Sequence, residues 1–306
     1  MIKIYKKNHR DRELKEVGEL SENCWVRVVD PTAQEIRFIS EKANIPLDIL
    51  EDALDESELP RIESEKDYLV IIIRIPLGEK ESFFSIPLTI ILTQKYLITV
   101  SIRPNDIIGS FLLGGKDFQT QNRPKFLFDV FKRTVKSYDY LIRSSAKSIN
   151  KQRFRLDKLK NTDITNLVER EEILNNYISA LVGNASIFNK ILKGKFISLF
   201  EQEQDLIEDL LVDMRQVIEL CDTNIKTIKN IREAYSTILT NNLNKVLKFL
   251  TSITIILTLP TIISSIYGMN VGLPGGGQDG VFYYIMGFTL IIMGLSYSIF
   301  VWRRWL

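Results

Sequence analysis

The chain has 306 residues, 25% of them charged, and a net charge of +2. This composition predicts a mainly soluble folded part and gives no reason to expect a nucleic acid as partner. One histidine and two distant cysteines, Cys24 and Cys221, are too few for a closed zinc site within one subunit and favour free thiols over a disulfide. Residues 1–7 have no long apolar run behind them, so we expect no signal peptide.

Residues 1–122 have the pattern of a mixed α/β domain. Short segments rich in β-branched and aromatic residues predict strands at 2–5, 25–29, 68–75, 88–92 and 97–102. Asp30-Pro31-Thr32 predicts the start of a helix over 33–42, and Asn44-Ile45-Pro46 predicts a second helix through residue 54. The continuous apolar run Ile71-Ile72-Ile73 predicts a strand covered on both faces.

Residues 123–245 have the pattern of a helical domain. No proline occurs between residues 125 and 244, and glycine occurs there only at positions 183 and 194. We predict helices at about 125–158, at 162–193 and from 199 onward. The third has apolar residues at steps of three or four with one double step: Ile207, Leu211, Met214, Ile218, Cys221, Ile225, Ile228, Tyr235 and Leu239. Nothing interrupts it before Pro260, so we predict one helix of more than 60 residues that packs along other helices.

Residues 246–306 contain two uncharged runs, at 249–267 and 281–302. Each is long enough to cross a hydrocarbon core of about 30 Å, which predicts a transmembrane hairpin with spans at about 247–268 and 281–302. Lys245 and Lys248 flank the first span and Arg303 and Arg304 follow the second, while the connection has no Lys or Arg. The positive-inside tendency therefore predicts that both termini are cytoplasmic.

A polar stripe follows one face of the first span, with residues at steps of three and four: Thr251, Thr254, Thr258, Thr261, Ser265 and Gly268. The same steps lead back through Leu247, Asn244, Thr240, Thr237 and Glu233. Close helix packing explains any single member, because small and hydroxyl residues let helices approach. The whole stripe, which ends at Tyr267-Gly268-Met269-Asn270, favours a water-lined path. One helix cannot enclose a path, so several copies must surround an axis.

The oxygen atoms of this stripe predict which solute passes. Hydroxyl, amide and carbonyl oxygens suit hard cations, and the span offers no cationic group. Because Mg²⁺ sheds its water reluctantly, the side chain of Asn270 and backbone carbonyls near Gly268 would hold a hydrated ion. The second span has few hydroxyls, which suits a lipid-facing shield.

These features resemble the CorA metal-ion transporters, two-span proteins with a Gly-x-Asn motif. The resemblance rests on residues 265–270, on the Arg303-Arg304-Trp305-Leu306 ending and on residues 52–69. It implies an N-terminal α/β cytosolic domain, a funnel of long cytosolic helices and two C-terminal transmembrane helices in each subunit of a homopentamer in the cell membrane. It implies passive Mg²⁺ influx driven by the membrane potential, with Co²⁺ and Ni²⁺ also passing.

The resemblance also implies roles for particular residues. Gly268, Met269 and Asn270 would form the outer selectivity site, and the pore positions would be Asn244, Leu247, Leu250, Thr254, Thr258 and Thr261. All of the latter agree with the stripe except Leu250, which lies beside it. Closure by cytosolic Mg²⁺ bound between subunits would involve the carboxylates of Glu79, Asp205, Glu208, Asp209 and Asp213. The alternative for these acids is a solvated helix surface.

The connection after Asn270 departs from the family pattern. The usual aromatic residue and Met-Pro-Glu-Leu turn are replaced by Val271-Gly272-Leu273-Pro274, and Asp279 is the only carboxylate of the connection. We therefore expect weaker electrostatic concentration of cations at the outer mouth.

Two alternatives to a Mg²⁺ channel stay open. One is a Zn²⁺ transporter of the same superfamily, because a pore for hydrated ions needs no soft ligands. The other is a membrane-anchored sensor without transport, which would need no polar stripe. An enzyme is not expected, since no nucleophile–base set, phosphate loop or catalytic carboxylate pair stands out.

Overall fold

The computed structural model describes residues 1–7, 13–78, 83–113, 118–154, 156, 159–194, 196–197, 199–273 and 280–306. The proposed regulatory residue Glu79 and the loop acid Asp279 lie outside these residues. The chain forms two compact units, Met1–Asn230 and Ile231–Leu306.

The first unit contains a seven-stranded mixed sheet. In chain order its strands are β1 (Ile2–Lys6), β2 (Lys15–Val17), β3 (Cys24–Val29), β4 (Arg61–Ser64), β5 (Tyr68–Gly78), β6 (Phe83–Thr93) and β7 (Tyr96–Ser101). Their order across the sheet is β2-β1-β3-β7-β6-β5-β4. Only β3 and β7 pair in parallel, with Cys24 opposite Tyr96 and Val29 opposite Ser101, and every other pair is antiparallel.

Helices cover both faces of the sheet. On one face, α1 (Ala33–Ala43) and α2 (Leu47–Asp52) share a core with alternate residues of β3, β5, β6 and β7. In the remainder of the unit, α3 (Asp106–Leu113) precedes α4 (Arg123–Arg153) and α5 (Asn161–Leu192), and the last two contact β5. Ile71, Ile72 and Ile73 are completely buried, so the prediction of a doubly covered strand is confirmed.

The local signals account for most boundaries. Thr32 caps α1 as predicted: its hydroxyl accepts from the Glu35 N–H at 3.3 Å, and the Glu35 carboxylate accepts from the Thr32 N–H at 2.8 Å. Asn44-Ile45-Pro46 leads into the second helix as predicted, because α2 begins directly after Pro46, while Asn44 itself ends α1 in the left-handed conformation at φ 52°. The predicted end of the second helix at residue 54 is too late, since α2 ends at Asp52. The predicted helix over 125–158 ends earlier, at Arg153.

Helix α6 (Glu201–Tyr267) has 67 residues and is continuous through Pro260, as predicted. Within the first unit its apolar residues form a buried row that includes Ile207, Met214, Cys221 and Ile228. Of the other residues of the predicted apolar stripe, Ile218 and Tyr235 are half-buried and Leu239 is exposed in the single chain. In this part of the helix Lys229 forms an ion pair with Glu171 of α5 at 3.9 Å.

The second unit is a helical hairpin. It consists of the remainder of α6, from Ile231 to Tyr267, and of α7 (Val281–Trp302). Both α6 and α7 contain an apolar stretch long enough to cross a membrane, and almost none of either stretch is buried within the chain. The exposed apolar surface of these stretches is typical of helices that face lipid or other subunits.

Candidate functional site

The polar stripe lies on the uncovered side of α6. Thr251, Thr254, Thr258, Thr261, Ser265 and Gly268 are all exposed. The opposite side of the helix is partly covered: Ser252 is fully buried, and Ile253, Ile256, Leu259, Pro260 and Ile263 are half-buried. Because α7 is the other helix of this unit, the hairpin covers the side of α6 away from the stripe. The stripe therefore stays free for a solute or for further copies of the chain.

Three threonine hydroxyls of the stripe donate their protons to the helix backbone. Thr254, Thr258 and Thr261 donate to the carbonyl oxygens four residues earlier, at 2.9, 2.7 and 3.1 Å. Thr237 and Thr240, on the backward continuation of the stripe, do the same at 3.0 Å each. A hydroxyl that donates in this way has only lone pairs left to present. This surface accepts hydrogen bonds, and the water around a cation donates them.

The outer end of the stripe coincides with the end of α6. The Gly268 N–H donates to the Ser264 carbonyl at 2.9 Å, and the Met269 N–H donates to the Ile266 carbonyl at 3.2 Å. A Cβ at position 268 would lie 3.2 Å from the Ser264 carbonyl oxygen, so a larger residue would require a small shift of this oxygen. Asn270 follows with an exposed amide side chain. Carbonyls of the last turn lack the intrahelical partners that a continuing helix would supply, so this end concentrates oxygen acceptors.

The inner end of the stripe changes from polar to apolar. Leu247 and Leu250 are exposed on the same uncovered part of α6, and Asn244 and Glu233 are exposed further toward the first unit. Asn244 also lines an open groove with Asn241, Lys245 and Lys248. The sequence prediction named Asn244 and treated the two lysines only as markers of topology.

The predicted regulatory carboxylates lie together on one exposed part of α6. Asp205, Glu208, Asp209 and Asp213 all face away from the buried row that contains Ile207 and Met214. No group of three or more His, Cys, Asp or Glu side chains in the described part of the chain is close enough to hold a metal ion.

Both cysteines are buried and free, as the sequence predicts. Burial raises the pKa of the Cys221 thiol to about 12, and burial also raises that of Cys24. Both thiols are therefore protonated at neutral pH and fill the core rather than serve as ligands or nucleophiles.

Comparison with known proteins adds to this geometry. The model of the CorA-like Mg²⁺ transporter protein family matches residues 21–304. The chain is 24% identical over 297 residues to the cobalt/magnesium transport protein CorA of Methanocaldococcus jannaschii, covering 92% of this chain and 91% of that protein. It is 22% identical over 295 residues to the magnesium transport protein CorA of Helicobacter pylori, covering 91% of this chain and 88% of that one.

Solved structures show the same fold. The complete structure of the CorA magnesium transporter from Methanocaldococcus jannaschii matches with a TM-score of 0.89 at 21% identity, covering 100% of this chain and 99% of that one. Full-length CmaX matches with a TM-score of 0.75 at 17% identity, covering 99% and 96%. The cytoplasmic domain of ZntB from Vibrio parahaemolyticus matches with a TM-score of 0.62 at 12% identity, covering 78% and 98%.

The full-length likeness confirms the predicted fold class: an N-terminal α/β domain, long helices and a C-terminal pair of membrane helices. The family match extends over nearly the whole chain and agrees with the motif at 268–270. The protein therefore belongs to the CorA-like Mg²⁺ transporter family, whose members are ion transporters rather than enzymes.

Proposed function

We propose that the protein is a channel for Mg²⁺ influx down its electrochemical gradient, with Co²⁺ and Ni²⁺ as further permeant ions. The observation that carries this proposal is the exposed stripe on α6, in which the hydroxyls of Thr254, Thr258 and Thr261 donate their protons to the backbone. These hydroxyls can accept hydrogen bonds from the water shell of a cation, and the span carries no cationic group that would attract an anion. The names of the curated relatives, which include cobalt and magnesium transport, support the same solutes.

Several copies of the chain must enclose the path, and we propose a homopentamer in the cell membrane with both termini cytoplasmic. Each copy contributes one stripe, while α7 covers the other side of α6 and faces lipid. The ring of Asn270 side chains, with Gly268 and Met269, forms the outer selectivity site for the hydrated ion. Mg²⁺ binds its inner shell of water strongly. The free-energy cost of replacing only its outer-shell water with a ring of neutral oxygen acceptors is therefore lower than the cost of removing the inner shell.

The rings of Leu247 and Leu250 form the gate. Both side chains are exposed on the single chain, and in a ring they would narrow the path with apolar surface that excludes water. Thr254, Thr258, Thr261 and Ser265 line the path outward from the gate, and Asn244 and Glu233 line it toward the cytosol. Residues 1–122, 123–245 and 246–306 then act as the cytosolic domain, the stalk and the membrane hairpin.

The gate responds to cytosolic Mg²⁺ through the acidic surface of α6. Asp205, Glu208, Asp209 and Asp213 are exposed, and carboxylates brought together between copies repel one another until a divalent cation binds. Together with Glu79 they hold the closed state while cytosolic Mg²⁺ is high.

Ion flux into liposomes tests the proposed transport. Purified protein is reconstituted, and uptake of Mg²⁺, Co²⁺ and Zn²⁺ is followed with indicator dyes under an inside-negative potential. The Mg²⁺ flux of the Asn270→Ala variant should be at least about tenfold lower than that of the wild type, because every copy loses a side chain whose hydrogen bond contributes about 1 kcal/mol. Asn242→Ala is the matched control, since Asn242 is an exposed asparagine of α6 away from the stripe.

The outcomes separate the alternatives. Unchanged Mg²⁺ flux in the Asn270→Ala variant would favour a membrane-anchored sensor whose hairpin transports nothing. Faster Zn²⁺ than Mg²⁺ uptake, or Zn²⁺ uptake that depends on a proton gradient, would favour a Zn²⁺ transporter.

Asp209→Asn tests the proposed regulation in the same liposomes. Internal Mg²⁺ should inhibit the wild type at lower concentration than it inhibits this variant. Asp222→Asn, which changes another exposed aspartate of α6, should behave as the wild type. Equal inhibition of all three proteins would remove Asp209 from the sensor.

A further inference from the structure

The second unit carries four basic side chains at one level of its helical hairpin. Lys245 and Lys248 are exposed on α6 and line an open groove of about 540 Å³ with Asn241 and Asn244. Lys245, Lys248 and Ser252 are spaced three and four residues apart and so share one side of the helix. Ser252 is fully buried, and Lys248 is also next to the polar stripe, four residues after Asn244 and three before Thr251.

The C-terminal end of α7 lies at the same level. At the other end of the hairpin, Tyr267 of α6 and Val281 of α7 line one apolar groove. Trp302 is 21 residues after Val281, and Val246 is 21 residues before Tyr267. Both helices rise about 1.5 Å per residue, so the end of α7 is level with Lys245 and Lys248. Arg303 and Arg304 directly follow and are exposed.

These cations form no ion pair with a carboxylate in the described part of the unit. The sequence of the unit contains two acidic residues: Glu233, twelve residues before Lys245, and Asp279, which lies outside the described residues. Two positive charges that line the groove and two more at the same level of the hairpin therefore call for an anion from outside it.

The chain after α7 turns back in a strained but well-bonded conformation. The Arg304 N–H donates to the Val301 carbonyl at 3.0 Å, and the Trp305 N–H donates to the Phe300 carbonyl at 2.9 Å. These bonds form a Schellman turn, in which the left-handed position usually holds glycine. Here it holds Arg304 at φ 55°, and the ring of Trp305 stacks on that of Phe300 at 5.7 Å. An arginine in place of glycine costs about 1 kcal/mol of backbone strain, and the stacked ring stabilises the turn.

The geometry points to a site for the phosphate of an anionic phospholipid in the inner leaflet, formed by Lys245, Lys248, Arg303 and Arg304. Charge complementarity selects the phosphate. The level of the site selects a lipid, because it lies where the uncharged stretches of α6 and α7 end, beside Trp302 and Trp305, and tryptophan rings sit at the membrane surface. The inference rests on the proposed cytoplasmic position of these helix ends, and it does not depend on the transported ion.

Native mass spectrometry of the intact protein tests this site. The protein is purified from mixed phosphatidylcholine and phosphatidylglycerol vesicles, and retained lipid is counted for each class. Wild type should retain phosphatidylglycerol selectively. Lys245→Gln/Lys248→Gln should bind it about 30-fold more weakly, because each basic residue near a membrane surface contributes about a fivefold factor. Lys190→Gln/Lys193→Gln is the matched control, since this pair lines a groove in the first unit, and its retention should equal that of the wild type.

Three results would overturn the inference. Equal retention of phosphatidylglycerol by the two double lysine variants would show that Lys245 and Lys248 do not bind the lipid. Displacement of the lipid by millimolar inorganic phosphate would identify a free-phosphate site instead. Dissociation of the oligomer in Lys245→Gln/Lys248→Gln, with lipid retention unchanged, would show that carboxylates of a second copy are the partner.

A second variant guards against general loss of folding. Arg304→Gly removes the strained left-handed arginine and one charge, so it should leave thermal stability equal or higher while phosphatidylglycerol binds about fivefold more weakly. Unchanged binding in this variant would remove Arg304 from the site. Lipid retention is measured without ion flux, so a failure here is distinguishable from a failure of the proposed transport.

Discussion

Asn184 of α5 replaces a missing strand beside β5, and its removal should destabilise the first unit. Its side-chain oxygen accepts from the Arg74 N–H at 2.9 Å, and its amide nitrogen donates to the Arg74 carbonyl at 2.8 Å. Strand β4 pairs with β5 only as far as Arg61 opposite Ile72, so no strand reaches Arg74 on that side. Asn184 is 1% exposed, and water cannot take over its bonds.

The expected loss follows from the groups left behind. In Asn184→Ala the Arg74 N–H becomes a buried donor without a partner, whereas the Arg74 carbonyl still accepts from the Tyr138 hydroxyl at 3.2 Å. One orphaned buried donor and the lost bonds cost about 2–3 kcal/mol. For a unit of this size, that loss corresponds to a fall of about 4–12 °C in the unfolding midpoint.

Tryptophan fluorescence of the intact protein in detergent measures this midpoint, because Trp25 is fully buried in the first unit. The matched control is Asn189→Ala, which removes an exposed amide of the same helix that donates to the Ala185 carbonyl at 2.9 Å. It should change the free energy of unfolding by less than about 0.5 kcal/mol. Equal shifts in the two variants would refute the role of Asn184 as a substitute strand.

Three further predictions concern packing, the thiols and the path. Gly183→Ala should lower the free energy of unfolding by about 1–3 kcal/mol, because the new Cβ would lie 2.7 Å from Cγ of Pro60. The control is Gly109→Ala, whose new Cβ would meet nothing within 4 Å, so this variant should be neutral or stabilising in the same unfolding assay. With its raised pKa of about 12, Cys221 should have about 1,000-fold less thiolate at pH 8 in the native protein than after unfolding, so thiol-reagent labelling should need denaturant. Its thiol stays protonated in the folded state above pH 9 while the unfolded thiol ionises, so this residue's contribution to stability falls as pH rises from 9 toward 12. Leu247→Lys should abolish Mg²⁺ flux into liposomes, and normal flux would place Leu247 away from the path.

Elements with strong local signals were predicted from the sequence, and those defined by a neighbour were not. The capping box at Thr32 and the apolar run of β5 each lie within a few neighbouring residues, so the sequence alone predicts them. The short strand β4, with the sequence Arg-Ile-Glu-Ser, reads as a polar loop, and it becomes a strand only through its pairing with β5. Helix α3 has a local signal that was missed: the Asn105 side chain accepts from the Ile108 N–H at 2.9 Å and caps the helix. A glycine in the middle of α3 obscures the helical pattern.

The same distinction applies to the site. The polar stripe is a periodicity within one helix, so the sequence predicts which residues share its face. The burial of the apolar stripe is not local, because it depends on where neighbouring helices pack, so the sequence alone does not predict that Ile228 is buried and Leu239 exposed in the single chain. The relation between Lys248 and Arg303 was also inaccessible, since it depends on the return of α7 along α6.

A phosphate beside the path would explain how a cation path tolerates positive charges at its inner end. Lys248 is a helix-surface neighbour of Asn244 and Thr251, at spacings that bring Cβ atoms to about 6 Å. At that distance in water a lysine repels a divalent cation by about 1.4 kcal/mol, and physiological salt with a Debye length of about 8 Å weakens the repulsion only in part. A phosphate bound to Lys245 and Lys248 would cancel much of this charge, so an anionic lipid at the inner end of the hairpin would favour cation passage.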